Sequence, residues 1–568
     1  MAANLKNIFH FFSNYAKRLR SKIIILHRQT KTSKCRRKEI LRVREKILFD
    51  CCLAFYKNKR EMSYNSILNK EKEKRNYEND KAYAMLPELE LYSAVVTTLV
   101  ADNYYEKTDG RLERISSLIK KVSPLFVAQL AIYAREKLNL RSIPLFLIVE
   151  LAKIHNGDNL VAKTTERVVK RVDEIMELLA CYQLRNPKEE NYKKLNRLSN
   201  QIKNGLKQSF NRFDEYQFAK YNRSNSVIKL KDALFLIHPK AKDETQQELF
   251  NKIVNDQLQI PYTWETELSQ IGQRKYESEE EKIEAKRECW TRLIESDRLG
   301  YMALLRNLRN ILSVKVDEEV IERICKIISS HYAVKNSKQM PFRFYSAYKE
   351  AKTVITPEAN YILEALEKAV AYSADNIEGL DKNTSVLLAC DVSSSMDYHI
   401  SRKSSVRNYD IGILLSSVLK TKCKNVITGI FGDTWKPIIG GPKEILSHAE
   451  WMDSFMNEVG YSTNGYKVID WLLKNNQEID KVMFFTDMQM WDSYNGGSSL
   501  EKSWTKYKKQ FPKAKLYLFD LDGYGQLPIR QLKDDVILLA GWSDKIFDML
   551  NAFEKGKSVI DEIKKIEL

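Results

Sequence analysis

One dense group of oxygen-bearing side chains, Asp391-Val392-Ser393-Ser394-Ser395, follows directly on a run of apolar residues, Ser385 to Cys390. A hard divalent cation needs oxygen ligands in near-octahedral array, and Mg²⁺ keeps some of its waters rather than accept a full protein cage. Asp391 supplies charge, and the hydroxyls of Ser393 and Ser395, two residues apart in a tight turn, can point at one centre. A second acid at another strand end would complete such a site. Asp487 stands in that place, after Phe484-Phe485-Thr486, and Thr463 in Ser462-Thr463-Asn464-Gly465 offers a further hydroxyl. Two acids and three hydroxyls contain no nucleophile and no poised base, so the chemistry expected is binding of a divalent cation, Mg²⁺ by ligand type. The plainer alternative is that Asp391 and Ser393 cap the helix that follows.

Such a site needs strands to carry it. Ser385 to Cys390, Val426 to Phe431, Val482 to Phe485, Leu516 to Phe519 and Val536 to Ala540 are continuous apolar runs of strand length. Helical stretches lie between them, Ile411 to Leu419 and Tyr466 to Leu473 among them. Strands buried on both faces and alternating with helices predict a doubly wound parallel sheet over residues 379–568, with the acids at the edge where such sheets bind ligands. Before it, residues 62–378 are helix-compatible and poor in glycine. Ser123-Pro124 and Ser142-Ile143-Pro144 mark helix starts, and behind them Phe126, Leu130 and Ala134, then Leu145 and Val149, recur at helical spacing. Short amphipathic helices that cannot bury a face alone predict an α-solenoid of stacked pairs, although no fixed period is present.

Charge is unevenly spread. The 568 residues carry a formal +18, but residues 1–61 alone hold 17 basic and 4 acidic side chains, whereas residues 381–568 are balanced at 25 of each. No run of 18 apolar residues exists, so no spanning helix is expected, and no small-residue cleavage site follows the apolar islands near the start. The eight cysteines form no C-x-x-C pair, which argues against structural zinc or a disulfide framework and for a reducing cytoplasm. The basic leader 1–61 is either a disordered arm with general polyanion affinity or a segment that is never made, with Met62 the true start; the second is preferred.

The D-x-S-x-S, Thr, Asp set resembles the metal-ion-dependent adhesion site of von Willebrand factor A domains. In that family the two serines and the threonine are ligands, the acids act largely through water, and an open position accepts a partner's carboxylate. The helical half resembles a TROVE module, on longer text: Leu91-Tyr92-Ser93-Ala94-Val95-Val96, Phe126 to Glu136 (FVAQLAIYARE), Leu140 to Leu147 (LRSIPLFL), Asn200 to Leu206 (NQIKNGL), Phe213 to Asn222 (FDEYQFAKYN), Leu299 to Asn310 (LGYMALLRNLRN) and Pro341-Phe342-Arg343-Phe344. Gly541-Trp542-Ser543-Asp544 fits late in the A domain. A TROVE module followed by an A domain resembles the Ro ribonucleoproteins. That resemblance implies HEAT-like helices closing into a ring with the A domain, single-stranded 3′ ends of misfolded RNA in the hole, and structured Y-like RNA on the outer face. It implies RNA quality control with an exoribonuclease as possible partner, no catalysis, and a monomer.

The residues themselves indicate where RNA would sit. Lys193 to Lys242 holds 12 basic and three acidic residues, a local +9, and polyanion binding rewards such concentration through counterion release. The expected contacts are Lys203, Lys207, Arg212, Lys220, Arg223, Lys229, Lys231, His238 and Lys240. Lys203 and Lys207 share a helix face at i+4, and Lys220 and Arg223 at i+3. His238 reads equally as a helix C-terminal cap or as a phosphate donor. Phe210, Phe213, Tyr216, Phe218 and Tyr221 invite a base-stacking reading, but helical spacing makes most of them core. The competing reading is a protein-interaction scaffold in which the metal site grips an acidic partner and RNA is incidental. Salt dependence of nucleic-acid affinity separates the two.

Overall fold

The computed structural model describes residues 73–98, 106–186, 198–222, 226–374, 383–400, 404–423, 425–494, 496–530, 535–542, 550 and 558–568. The leader 1–61 lies outside them. From Pro87 to Ser373 the described chain is a succession of helices packed on near neighbours in sequence. The helix Pro124–Glu136 starts as its text predicts, with Ser123 Oγ accepting the Phe126 N–H at 3.1 Å and Pro124 at the first position. Ser142 instead is the first residue of its helix, Ser142–Ile154, and makes no capping bond there. Phe126, Leu130 and Ala134, like Leu145 and Val149, are buried. The stripes that sequence spacing singled out therefore face other helices, and the array is solenoid-like.

The chain then enters a six-stranded sheet. Its strands are β3 (Ser385–Asp391), β4 (Asn425–Phe431), β5 (Trp435–Ile438), β6 (Lys481–Thr486), β7 (Lys515–Asp520) and β9 (Val536–Ala540), in the order β5-β4-β3-β6-β7-β9. All pairings are parallel except β4 with β5. β5 was not legible beforehand: it is an edge strand of four residues containing Pro437, which an edge tolerates because one side needs no ladder donor. The chain leaves β3 for β4 on one side and later returns to β6 on the other. The ends of β3 and β6 thus flank the point where the winding reverses, which is where such sheets open a ligand crevice.

The helical array meets the α/β domain at both of its ends. At the first seam, β1 (Glu73–Arg75) and β2 (Lys81–Ala84) form a hairpin, and β2 pairs with β8 (Gln526–Leu527) from the α/β domain. Tyr92 OH donates to the Ala540 carbonyl at 3.1 Å, Ser93 Oγ to Asp520 Oδ2 at 2.5 Å, and the buried Arg111 Nη2 to the Asp522 carbonyl at 2.5 Å. At the second seam, Lys349 Nζ lies 2.8 and 2.9 Å from the two oxygens of buried Asp410. Glu367 accepts the Leu446 and Ser447 N–H groups at 2.9 and 2.7 Å, capping the helix Ile445–Asp453 from the other domain. Phe342 stacks edge-on against Trp542, at 6.2 Å between centroids, while Trp542 Nε1 donates to the Leu521 carbonyl. Tyr92, Ser93, Phe342 and Trp542 all belong to the segments singled out in the sequence, and this seam packing is a physical reason for their pairing. No described helix is long and apolar enough to cross a membrane, and the described cysteines 181, 289, 325, 390 and 423 are unbridged.

Candidate functional site

The end of β3 delivers Asp391, 1% exposed, into the crevice. Its Oδ1 accepts the Ser393 N–H at 3.0 Å, closing a turn that brings the Ser393 and Ser395 hydroxyls to 3.3 Å of each other. Both serines are buried, as two hydroxyls aimed at one centre require. The helix predicted to be capped by Asp391 and Ser393 starts only at Asn408, so the capping alternative does not describe this turn. From the neighbouring strand, Thr486 donates its hydroxyl to Asp391 Oδ2 at 2.6 Å, and Asp487, fully buried, follows it. Asp487 Oδ1 accepts the Gln489 N–H at 3.0 Å, while Oδ2 has no hydrogen-bond partner.

The buried Thr463 arrives on a loop tied to every side of the crevice. The Tyr461 carbonyl accepts the Ser394 N–H at 3.0 Å, Asn464 N–H donates to the Gly432 carbonyl at 3.0 Å beyond β4, and the Thr463 carbonyl accepts the Trp491 N–H at 3.2 Å beyond β6. Gly432 permits this closeness: a Cβ there would lie 2.0 Å from the Gly460 carbonyl oxygen. The structure thus brings all five expected residues, Asp391, Ser393, Ser395, Thr463 and Asp487, onto three linked loops at one edge of the sheet.

Electrostatics mark the same place. Burial pushes the Asp391 carboxyl up to about 6, against the pull of its Thr486 and Ser393 hydrogen bonds. Asp487 is held well above the ordinary carboxylate range, by burial first and then by the charges of Asp391 and Asp522. Two desolvated carboxylates that repel each other, one with an orphan oxygen, are a costly arrangement for a structural network. An oxygen-only donor set with that charge could hold a hard divalent cation. No group of three or more acidic, histidine or cysteine side chains suited to a metal occurs among the described residues, and three of the five donors here are hydroxyls. Thr486 and Asp522 were missed by sequence reasoning. Thr486 directly precedes Asp487 and was readable as a further strand-end hydroxyl, whereas Asp522 reaches the site only through the folded sheet.

The described part of the basic window lies on the helices Asn200–Phe210, Glu215–Tyr221 and Leu230–Ile237 and the turns beside them. Lys203 and Lys207 are half-buried on the first; Lys220, Lys229 and Lys240 are exposed. No carboxylate lies within ion-pair distance of these five among the described residues. Lys220 Nζ sits 5.8 and 5.9 Å from the Tyr216 and Tyr221 rings. Lys231 faces Asp256 at 3.8 Å. Arg212 is committed to the protein: its Nη2 donates to the Glu166 and Val169 carbonyls, both at 2.7 Å. His238 is exposed and ends its helix in the left-handed conformation, φ 50°, with its N–H donating to the Leu234 carbonyl. Arg223 lies outside the described residues. Phe210, Phe213 and Phe218 are buried and pack on one another, so only Tyr216 and Tyr221 offer ring surface. A second group of cations, Arg141, Arg167, Lys170 and Arg171, went unnoticed because Glu136, Asp173 and Glu174 neutralise it in the linear count.

A helical array thus meets an α/β domain at both ends, with buried carboxyls and hydroxyls gathered at the crevice of that domain and lysines without a carboxylate partner among the described residues gathered on the array. The TROVE-domain family matches residues 73–287 and 256–374, more than half of the chain, and the chain belongs to that family. TROVE proteins are RNA-binding components of ribonucleoproteins and are not enzymes. The chain is 23% identical to telomerase protein component 1 of Rattus norvegicus over 335 residues and of Mus musculus over 326 residues. These matches take in 45% of this chain and 12% of either relative, so the chain spans about an eighth of the curated relatives' length. The fold is similar to that of the Ro (RSR) protein of Deinococcus radiodurans, with a TM-score of 0.55 at 16% identity, covering 83% of this chain and all of that one.

Proposed function

We propose that this protein binds RNA through the cations of the helical array, as the non-catalytic core of a small ribonucleoprotein. The observation that carries the reading is Lys203, Lys207, Lys220, Lys229 and Lys240, which have no carboxylate partner among the described residues, on three helices of a TROVE module and the turns beside them. In the finer form, structured Y-like RNA takes a basic outer face and single-stranded 3′ ends of misfolded RNA take the hole of a ring that the array and the α/β domain would close, and the protein serves cytoplasmic RNA quality control as a monomer with an exoribonuclease as partner. The α/β domain serves as a von Willebrand factor A-like module in which Asp391, Ser393, Ser395, Thr463 and Asp487 hold Mg²⁺ and leave a position for an acidic protein ligand.

Affinity for a structured small RNA and for a single strand, measured across a salt series, tests the RNA reading. Each phosphate contact adds about 0.7 to 0.9 to the slope of log affinity against log salt. The double variant Lys203→Glu, Lys207→Glu is expected to flatten that slope by roughly 1.5 and to weaken binding uniformly across sequences. An unchanged slope would refute the patch. Asp391→Ala is expected to abolish Mg²⁺ uptake and leave RNA affinity nearly intact; a metal-gripping scaffold with incidental RNA predicts loss of the protein partner instead.

A further inference from the structure

The residues just beyond β6 serve two structures at once. Toward the crevice, Thr486 Oγ1 donates to Asp391 Oδ2 and accepts the Met488 N–H at 3.2 Å, while Gln489 donates its N–H to Asp487 Oδ1 and its Nε2 to the Asp487 carbonyl at 3.3 Å. Toward the helical domain, Oε1 of the same Gln489 accepts the Tyr77 N–H at 2.9 Å. One residue on, the Met490 carbonyl accepts Asn76 Nδ2 at 2.9 Å, and Asp492 N–H reaches Asp80 Oδ2 at 3.3 Å. Asn76 is itself held, because its Oδ1 accepts the Asp80 N–H at 2.8 Å. Gln489 is fully buried, so its carboxamide has no water to fall back on. Met488 between the two sets of bonds has φ +67°, a left-handed backbone that a residue other than glycine keeps only where its surroundings hold it.

We propose that Gln489 is a positioning residue that ties the second acid of the cation site to the β1–β2 hairpin, so that cation binding and closure of the first seam strengthen one another. The proposal rests on the cation reading of Asp391 and Asp487. The hairpin supplies the only described acceptor contact of the Gln489 side chain outside its own loop. When the hairpin leaves, Oε1 is stranded in the interior and the backbone from Met488 to Met490 loses two of its anchors. The Gln489 N–H that aims the Asp487 carboxylate is on that backbone, so the orphan Oδ2 loses its fixed direction. The Thr463 loop shares the consequence, because a Cβ on Gly465 would lie 2.5 Å from Met490 Sδ and the loop therefore rests on the same segment. Coupling between two binding events is reciprocal: whatever the hairpin contributes to the cation, the cation contributes to the hairpin.

The experiment uses the full chain and Mg²⁺ alone. Isothermal titration compares wild type with Asn76→Ala, which deletes the side-chain bond to the Met490 carbonyl and touches no candidate ligand, and with Asp80→Ala, a milder second variant should the first fail to fold. Hydrogen exchange of residues 73–84 is followed in parallel with and without Mg²⁺. Expected are a loss of Mg²⁺ affinity of roughly fivefold or more in Asn76→Ala, and slower exchange across the hairpin when Mg²⁺ is added to wild type but not to Asp391→Ala. Equal affinities in wild type and both variants, or hairpin exchange indifferent to Mg²⁺, would overturn the coupling. A wild type that takes up no Mg²⁺ would overturn the cation reading itself, and the proposal with it.

Discussion

Replacing Asp487 by Asn probes the crevice in its metal-free state, because it exchanges one of two buried carboxyls for an amide that cannot ionise and keeps the shape. The amide oxygen still accepts the Gln489 N–H that Asp487 Oδ1 accepts now at 3.0 Å. The amide nitrogen takes the place of Oδ2, the atom without a partner. A carboxyl whose native value lies above the working pH costs, at pH 7, about 1.4 kcal/mol for each unit between that pH and its unfolded value near 3.9, which sets a ceiling of about 4 kcal/mol. Asp487, raised by burial first and then by the charges of Asp391 and Asp522, bears a part of that cost. Asp391 keeps its own rise to about 6 in this variant, because burial and not the charge of Asp487 causes it. After the cost of a buried amide nitrogen, about 1–3 kcal/mol, a net gain of roughly 2 kcal/mol is expected in chelator at pH 7. For a fold of roughly 500 residues, with about 2 cal/mol/K of unfolding entropy each, that is a rise in Tm of about 2 °C.

The sign follows from the direction of the shifts. Both carboxyls are raised in the native state, so the native protein holds more protons than the unfolded chain above about pH 4, and metal-free stability falls as pH rises from there through about 6 for Asp391 and onward for Asp487. Mg²⁺ at a hundred times its Kd should return about 2.7 kcal/mol to wild type and nothing to Asp487→Asn. Differential scanning fluorimetry across pH 4 to 8, with chelator and with Mg²⁺, reads all of this. Asp487→Asn melting below wild type in chelator would refute the argument from repulsion, and equal Mg²⁺ stabilisation of both proteins would place the cation elsewhere.

Two further outcomes follow from the packing. His448 is buried, and Ser417 spends its one proton on the Ile413 carbonyl at 2.8 Å, so the ring donates from Nδ1 to Ser417 Oγ and leaves Nε2 unpartnered. Burial depresses this histidine to about 4, so stability is full above pH 6.5 and falls by about 3 kcal/mol as pH drops through 4; a His448→Gln variant should lose this part of the acid sensitivity in a pH series of melting curves. Glu367→Ala leaves the Leu446 and Ser447 N–H groups at the second seam without their acceptor, and should cost about 1–3 kcal/mol with faster hydrogen exchange at Ile445–Asp453; unchanged exchange there would show that the seam does not depend on this cap.

The strand runs and the D-x-S-x-S turn were legible because local chemistry settles them: a strand covered on both faces must be apolar along its length, and only a short turn can aim two hydroxyls from residues 393 and 395 at one point. The placement of Thr463 and Asp487 was also within reach, since helix and strand alternation puts their loops at the same edge. Helix starts were readable where a proline and a hydroxyl agree, as at Ser123-Pro124, and less so at Ser142, where the chain turns helical one residue early.

What the amino-acid order determined by itself is therefore whatever depends on neighbours along the chain: the change from helical to α/β text near residue 380, the candidate ligands, and the concentration of lysines between Lys193 and Lys242. Only the tertiary structure decided which of those groups are free to act. Arg212 reads like the lysines around it, yet its guanidinium closes the end of the helix Leu160–Val168. Asp522 reads like any loop acid, yet it is buried, its carboxylate accepts from Asn408 Nδ2, its carbonyl accepts from Arg111, and its charge helps to raise Asp487. Gln489 carries no chemical signature in the sequence. Its place between Asp487 and Tyr77 exists because strand pairing brings residues 412 positions apart within 2.9 Å, and separations of that size are set by the whole fold.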